Sequence, residues 1–418
     1  MIAFAHYSSE QDISGVTTWL VDFLRFLRGK GEEVCVNLHH FGTEVERASV
    51  LVPLRAAGVE VSIRRKPHWS GEAVRDDLEF LNRHRPAVFL PQCLPAHFFA
   101  ARLAARAGVR CALVLHSDDP EYWALLDSSV PERWDGVVVG VSEAIAAESR
   151  RRKPGADVRV IPCGVPIPSM AARWSPERFR VVYSGRMVER QKSVALVLDT
   201  LIGFCRNCAV GEAVLIGDGP ELAVLKARVA EAGLDSRIRF TGRLAPAEVG
   251  PELAAGQAIL LMSEFEGLPV AMLEGMACGL VPVARQMRSG IPEIVRDGET
   301  GLLLSDDPSA AAESLIRLAA DSERWERLSA GARGLVRTSY LQEACFERWW
   351  SVIRELQGAA RPVYPLAMPS RGDLPPPDER LGSVDLREPT LLKRGVGWGR
   401  RHAGRVLRKL GLRRGHRL

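Results

Sequence analysis

Two carboxylates and two cations in this 418-residue chain are the residues best suited to handle a charged, polar ligand. Glu266 and Glu274 lie in the segment Ser263-Glu-Phe-Glu-Gly-Leu-Pro-Val-Ala-Met-Leu-Glu-Gly-Met-Ala-Cys-Gly279. Gly267 permits a close backbone approach, and Pro269 suits a first helical position, where its missing N–H costs nothing. Gly279 fits the C-terminal stop. The spacing predicts a helix of about ten residues whose free amides and positive dipole end attract a phosphate or a polar sugar. Glu266 falls in the loop and Glu274 a turn or more inside the helix, so the two are expected to meet different parts of one ligand. Arg186 and Lys192, six positions apart, follow a strand and precede a helix. A planar guanidinium fork and a compact ammonium can stabilise the negative charge of a leaving group without a metal.

Other residues are weaker candidates. His116 ends the strand-like run Ala112–Leu115, a position suited to a site residue. Asp118 and Asp119 follow it, but Ser117-Asp118-Asp119 lacks the spaced acid pair of metal-dependent transferases, and no essential Mg²⁺ or Mn²⁺ is expected. Gly15 lies between the first strand and its helix, where a backbone can approach a phosphate or acceptor. Gly242 and Arg243 follow the run Arg237–Thr241 and can meet a nucleotide base. Gly217-x-Gly219 has Leu222 where a dinucleotide fingerprint needs a third glycine, and no acid follows at the required distance, which argues against an oxidoreductase. His39 and His40 have no carboxylate or cysteine at ligand spacing and read as solvated or locally bonded.

These residues need a scaffold that carries strand ends to one place. Apolar runs at Met1–Ala5, Glu33–Leu38, Val59–Ile63, Ala87–Leu90, Arg110–Leu115 and Val137–Val141 alternate with helical patterns, and Ser142 is placed to cap a helix. After Ile161–Pro176, with prolines at 162, 166, 168 and 176, the alternation restarts. Arg180–Tyr183, Ala213–Ile216, Arg237–Thr241, Ala258–Met262 and Leu280–Ala284 supply strands. Continuous apolar runs between helices imply parallel sheets covered on both faces. The expected class is α/β, with two doubly wound, Rossmann-like domains facing each other across a cleft. Ligands bind at the carboxyl ends of such strands. The expected division is 1–165, then 177–341, a helix at 342–358 returning toward the first domain, and a proline-rich linker and basic tail at 361–418.

Composition narrows the function classes. The chain is 46% hydrophobic and 26% charged, enough to bury a large core. No run is long and apolar enough to span a membrane, and the first 20 residues lack a secretory pattern, so cytoplasmic residence is expected. Eight cysteines are too few for a disulfide framework, and Cys205-x-x-Cys208 lacks the second pair of a zinc ribbon. Residues 391–418 hold ten Lys/Arg and no Asp/Glu; removing those ten from 56 leaves 46 basic side chains against 51 acidic. Attraction to polyanions therefore resides in the tail. Two readings of that tail stand: a basic amphipathic helix contacting the inner face of a membrane, and a disordered solubilising segment. Nucleic acid is not expected as a partner, since no aromatic platform accompanies the charge.

The ordered set of motifs resembles the GT-B glycosyltransferases of family 4, also called glycosyl transferases group 1. Glu266 and Glu274 match that family's E-x7-E in the setting EGLPVAMLEGMACG, and SGIPEIVRDGETGLLL (289–304) resembles the segment after its helix. YSGR (183–186) with Lys192 resembles its phosphate-binding loop, and LIGDGPEL (215–222) its Gly-rich turn. VLHSDD (114–119) and SGVTTWL (14–20) match more loosely; the family usually has two glycines where this chain has Ser14-Gly15. The likeness covers about 1–355. It implies metal-independent transfer of a sugar from a nucleotide-diphosphate donor, with retention, to a glycan or lipid-linked hydroxyl acceptor. It further implies that Glu274 accepts hydrogen bonds from ribose hydroxyls, and that Glu266, His116 and the amides of Gly267 and Leu268 hold the donor sugar. The competing readings are a sugar-nucleotide epimerase of the same architecture and a catalytically silent sugar-binding protein.

Overall fold

The computed structural model describes residues 1–10, 14–67, 70–370, 373–374 and 379–381. The first lobe runs β1 (Ile2–Ser8), α1 (Gly15–Gly29), β2 (Val34–His40), α2 (Leu51–Ala56), β3 (Glu60–Arg65), α3 (Ser70–His84), β4 (Val88–Pro91), α4 (Pro95–Arg106), β5 (Arg110–Leu115), α5 (Pro120–Ser129), β6 (Val137–Gly140), α6 (Glu143–Arg152) and β7 (Asp157–Val160). The second runs β8 (Phe179–Ser184), α7 (Glu189–Lys192), α8 (Val194–Asn207), β9 (Gly211–Ile216), α9 (Leu222–Glu231), β10 (Ile238–Gly242), α10 (Pro246–Ala254), β11 (Ala258–Leu261), α11 (Val270–Ala277), β12 (Val281–Arg285), α12 (Ile291–Ile294), β13 (Leu302–Leu304), α13 (Pro308–Ala319) and α14 (Ser322–Ser339). A final helix, α15, spans Gln342–Ala359.

Each lobe is one parallel sheet. The strand orders are β3-β2-β1-β4-β5-β6-β7 and β10-β9-β8-β11-β12-β13. Strands such as β4, β6 and β11 are buried along their full length, which explains their unbroken apolar character. In each lobe the order reverses beside the first strand, between β1 and β4 and between β8 and β11. Diverging loops at that point open a crevice at the strand ends. The architecture is the α/β, GT-B arrangement expected from the sequence.

Local signals fix the helices that border the crevice. Ser14 caps α1, its hydroxyl accepting from the Thr17 amide at 3.1 Å, and Ser142 caps α6 by accepting from Ile145 at 3.3 Å. Gly279, at φ +87°, ends α11 in the left-handed conformation. That helix has eight residues, with Pro269 as its N-cap rather than its first residue. The aromatic face of α15 lies on α1: Trp349 and Phe346 meet Phe23 at ring distances of 5.9 and 5.1 Å, and Trp349 meets Trp19 at 5.8 Å.

Residues 361–366, the start of the proline-rich linker, dock on the first lobe. The Val363 amide donates to Ala107, Tyr364 to the Pro86 carbonyl, and Asn82 bonds both main-chain groups of Leu366. Proline removes its own donor but leaves its neighbours' groups free to dock. The tail at 391–418 lies outside the described residues. Among the described residues, no helix is long and apolar enough to cross a membrane.

Candidate functional site

The loops after β8 and β11 come together at the switch point of the second lobe. Lys192, at the end of α7, reaches across to Glu266, Nζ to Oε1 at 2.5 Å. Both side chains are largely buried, so each charge depends on the other for compensation. Gln191 ties the same loops together. Its side-chain oxygen accepts from Arg186 at 2.5 Å, and its main-chain carbonyl accepts from the Glu264 amide at 2.9 Å. Arg186 is exposed, and its carbonyl accepts from Tyr183 at 2.7 Å.

The Gly-rich turn lies directly beside this pair. Gly217 has φ +133°, and a Cβ there would stand 2.0 Å from the Gly185 carbonyl oxygen, so only glycine lets the two loops approach. The Gly217 amide donates to Gly242 at 2.9 Å, which brings the end of β10 alongside. Arg243 follows, exposed on that rim.

The first lobe closes over these loops. A Cβ on Gly267 would meet the His116 carbonyl oxygen at 2.1 Å, and one on Gly15 would meet Val270 at 3.1 Å. The residues predicted in separate lobes, His116 and Gly15 on one side and Gly267, Leu268 and the start of α11 on the other, therefore share one seam. Gly267 and Leu268 are buried, and among the described residues neither main-chain amide has an acceptor. Buried, unpaired N–H groups at a loop of this kind are donors for a ligand oxygen.

The titrating groups at the seam are tuned mainly by burial. Desolvation pushes the Glu274 carboxyl up to about 7, and Asp22 of α1 adds to the rise across the seam. Burial also pushes His116 down to about 3, so its ring is neutral at ordinary pH. Its Nε2 lies 2.7 Å from Gln92 Oε1, which can only accept, so Nε2 carries the proton. Asp118 and Asp119 are otherwise engaged. Asp118 accepts from the Trp123 indole at 2.8 Å, and Asp119 caps α5 by accepting from the Glu121 amide at 2.8 Å.

Sequence reasoning did not single out the groups that fasten the lobes together. Glu293 of α12 accepts from the amides of Glu143 and Ala144 at 3.1 and 3.0 Å, capping α6 from the opposite lobe. Arg288 pairs with Glu148 of α6 at 3.5 Å. The sequence signal was partial: Ser142 reads as a cap, but a second cap 150 residues away leaves no local pattern. The expectation for His39 and His40 needs correction. Both are fully buried, not solvated: His39 bonds Asp76 at 2.9 Å and His40 bonds Ser8 at 3.1 Å. Their neighbours arrive from α3 and β1, beyond the reach of a spacing argument.

Two family models match successive parts of the chain: Glycosyltransferase Family 4 over residues 13–167 and Glycosyl transferases group 1 over 178–321. Among curated proteins, N-acetyl-alpha-D-glucosaminyl L-malate synthase of Bacillus anthracis is 30% identical over 164 residues, 38% of this chain and 42% of that enzyme. Sulfoquinovosyl transferase of Arabidopsis thaliana is 25% identical over 77% of this chain and 67% of its own. The chain spans about half the length of the first curated relatives it matches, 42–47% of four of them. Anabaena HepE, solved with UDP and glucose, superimposes with a TM-score of 0.69 at 18% identity, over 84% of this chain and 99% of that one. Sucrose-phosphate synthase from Thermosynechococcus elongatus gives 0.70 at 17% identity, over 86% and 99%.

Proposed function

We propose that this chain, which belongs to the group 1 and family 4 glycosyltransferases of GT-B fold, moves a sugar from a nucleotide-diphosphate donor to a hydroxyl acceptor. Transfer proceeds with retention at the anomeric carbon and without an essential metal. The observation that carries this reading is the buried Lys192–Glu266 pair set against the unpaired Gly267 and Leu268 amides, where His116 of the other lobe closes the seam.

Each group has a role in that reaction. Departure of the nucleoside diphosphate builds negative charge, which Lys192 and Arg186 neutralise from fixed positions. Lys192 exchanges part of its contact with Glu266 for phosphate oxygens, and Glu266 is then left to accept from donor-sugar hydroxyls and to stabilise positive charge on the reacting ring. The amides of Gly267 and Leu268 and the N-terminus of α1 at Gly15 supply further donors to the anion. Glu274 accepts from ribose hydroxyls, and these donors favour its ionised form. Gly242 and Arg243 border the base. Neutral His116 serves as a hydrogen-bonding group to the sugar, not as a cation. No side chain is assigned as covalent nucleophile, and the acceptor proton leaves with the departing diphosphate. The engagement of Asp118 by Trp123 and of Asp119 as a helix cap supports the metal-free route. The acceptor is a glycan or lipid-linked hydroxyl approaching from the first lobe. HepE, of like fold and solved with UDP and glucose, supports the donor class.

A panel of nucleotide sugars, ranked by thermal shift and then by turnover with glycan and lipid-linked acceptors, tests the proposal. Glu266→Gln should lower turnover by about 10²-fold or more while the nucleotide still binds. Unchanged turnover would remove Glu266 from the site. A shift with NAD(H) and none with any nucleotide sugar would overturn the reading.

A further inference from the structure

We propose that His39, His97 and Asp77, with Asp76 beside them, form a zinc site inside the first lobe. This inference stands independently of the transfer reaction. The four side chains come from three elements: His39 from the end of β2, the two aspartates from α3, and His97 from the first turn of α4. All four are buried, His39, His97 and Asp77 completely and Asp76 at 6% exposure. The His39, Asp77 and His97 ligand atoms lie within 4.8 Å of one another.

The separations suit a small tetrahedral ion. His39 Nε2 stands 2.9 Å from Asp76 and 3.8 Å from Asp77, and His97 Nδ1 stands 2.6 Å from Asp77. Zinc bonds of about 2.0–2.1 Å at tetrahedral angles put ligand atoms about 3.3 Å apart. The 2.6 Å contact of His97 with Asp77 Oδ2 is shorter than that figure and the His39, His97 and Asp77 ligand atoms all lie within 4.8 Å, so side-chain shifts of up to about an ångström bring the three onto one ion. Imidazole and carboxylate are ligands that zinc accepts.

Charge points the same way. Two carboxylates lie buried side by side, and an isolated buried charge is costly. Arg64 pairs with Asp76 and approaches Glu79, with its side chain 46% exposed, so it compensates the outer carboxylate from the solvent side. Of the two carboxylates, the inner Asp77 has no Lys or Arg partner among the described residues, and a bound cation compensates it. Asn37 already holds both in place, its Nδ2 donating to Asp76 at 3.0 Å and to Asp77 at 2.9 Å.

The test uses the full-length chain, stripped with a chelator, desalted and titrated with zinc chloride alone. Bound metal is read by atomic emission, thermal stability by scanning with and without zinc, and geometry by the visible bands of cobalt(II) as a substitute. The expected result is about one equivalent per chain, a raised thermal midpoint and tetrahedral cobalt bands. Asp77→Asn and His97→Gln should lose all three. Because either variant can fail to fold, the wild-type titration decides on its own. A folded, stripped protein that takes up less than about a tenth of an equivalent, with no cobalt bands, would overturn the site. Folded variants that bind zinc as the wild type does would overturn it equally, leaving the four side chains as hydrogen-bonded His–Asp pairs.

Discussion

Replacing Glu274 with glutamine removes one ionisation while keeping the side chain's size and hydrogen-bonding capacity. Burial, reinforced by Asp22, raises this carboxyl from 4.5 to about 7. Between those values the native protein holds a proton that the unfolded chain has released, so stability falls as pH rises through the window. The penalty is absent well below pH 4.5 and complete above about 7. The full span corresponds to about 3.4 kcal/mol, of which about 2.5 accrues between about pH 5 and pH 8. Glu274 is half-buried, so screening reduces the expected figure to about 2 kcal/mol. Urea titrations of wild type and Glu274→Gln near pH 5 and near pH 8 give the difference directly, and any packing cost common to both pH values cancels. The variant should gain about 2 kcal/mol relative to wild type on going from the lower pH to the higher. A change smaller than about 0.5 kcal/mol would refute the claim that this carboxyl is desolvated at the seam.

Three further outcomes follow from the contacts between the lobes. Gly267→Ala drives a methyl group into the His116 carbonyl, so transfer should be nearly abolished; wild-type turnover would mean that the seam opens freely. His116→Ala should lower turnover without changing the shape of the pH–rate profile, because burial holds the ring neutral down to about pH 3; loss of a limb near 6.5 in the variant would contradict this. Glu293→Ala removes the cap that α12 places on α6 and should cost about 1 kcal/mol of lobe closure. Small-angle scattering should then report a larger radius of gyration, and an unchanged radius would show that Glu293 does not hold the lobes together.

What the sequence makes legible is what chain-local rules govern. Apolar runs locate β5 at Arg110–Leu115 and β6 near Val137, and Ser142 announces its helix, because strand burial and capping act within a few residues. The loop before α11 can be read because Gly267, Pro269 and Gly279 each impose a backbone constraint. Helix α3 escapes such a reading: charged residues interrupt its apolar stripe, and two of them, Asp76 and Asp77, turn inward. Their burial depends on Asn37, His39 and His97, none of which is near in sequence. Helices α2 and α5 escape it as well, being short and dependent on packing against longer elements.

The two lobes share the order in which their first six strands are laid down, and this explains why chemistry collects where it does. Each sheet reverses beside its first strand, so each presents one crevice, and the seam joins them. From the first lobe come Gly15 after β1 and His116 after β5; from the second come Lys192 after β8 and Glu266 with Gly267 after β11. In the proposed reaction, because the Lys192–Glu266 pair is already buried, entry of a diphosphate would redistribute an existing charge contact instead of bringing two isolated charges out of water. On this account Lys192→Ala should weaken binding of the nucleoside diphosphate and leave Glu266 unpaired, lowering turnover by about 10²–10³-fold. The matching variant Lys192→Ala/Glu266→Gln should recover thermal stability but not turnover. Recovery of both would show that the pair serves only to hold the loops together.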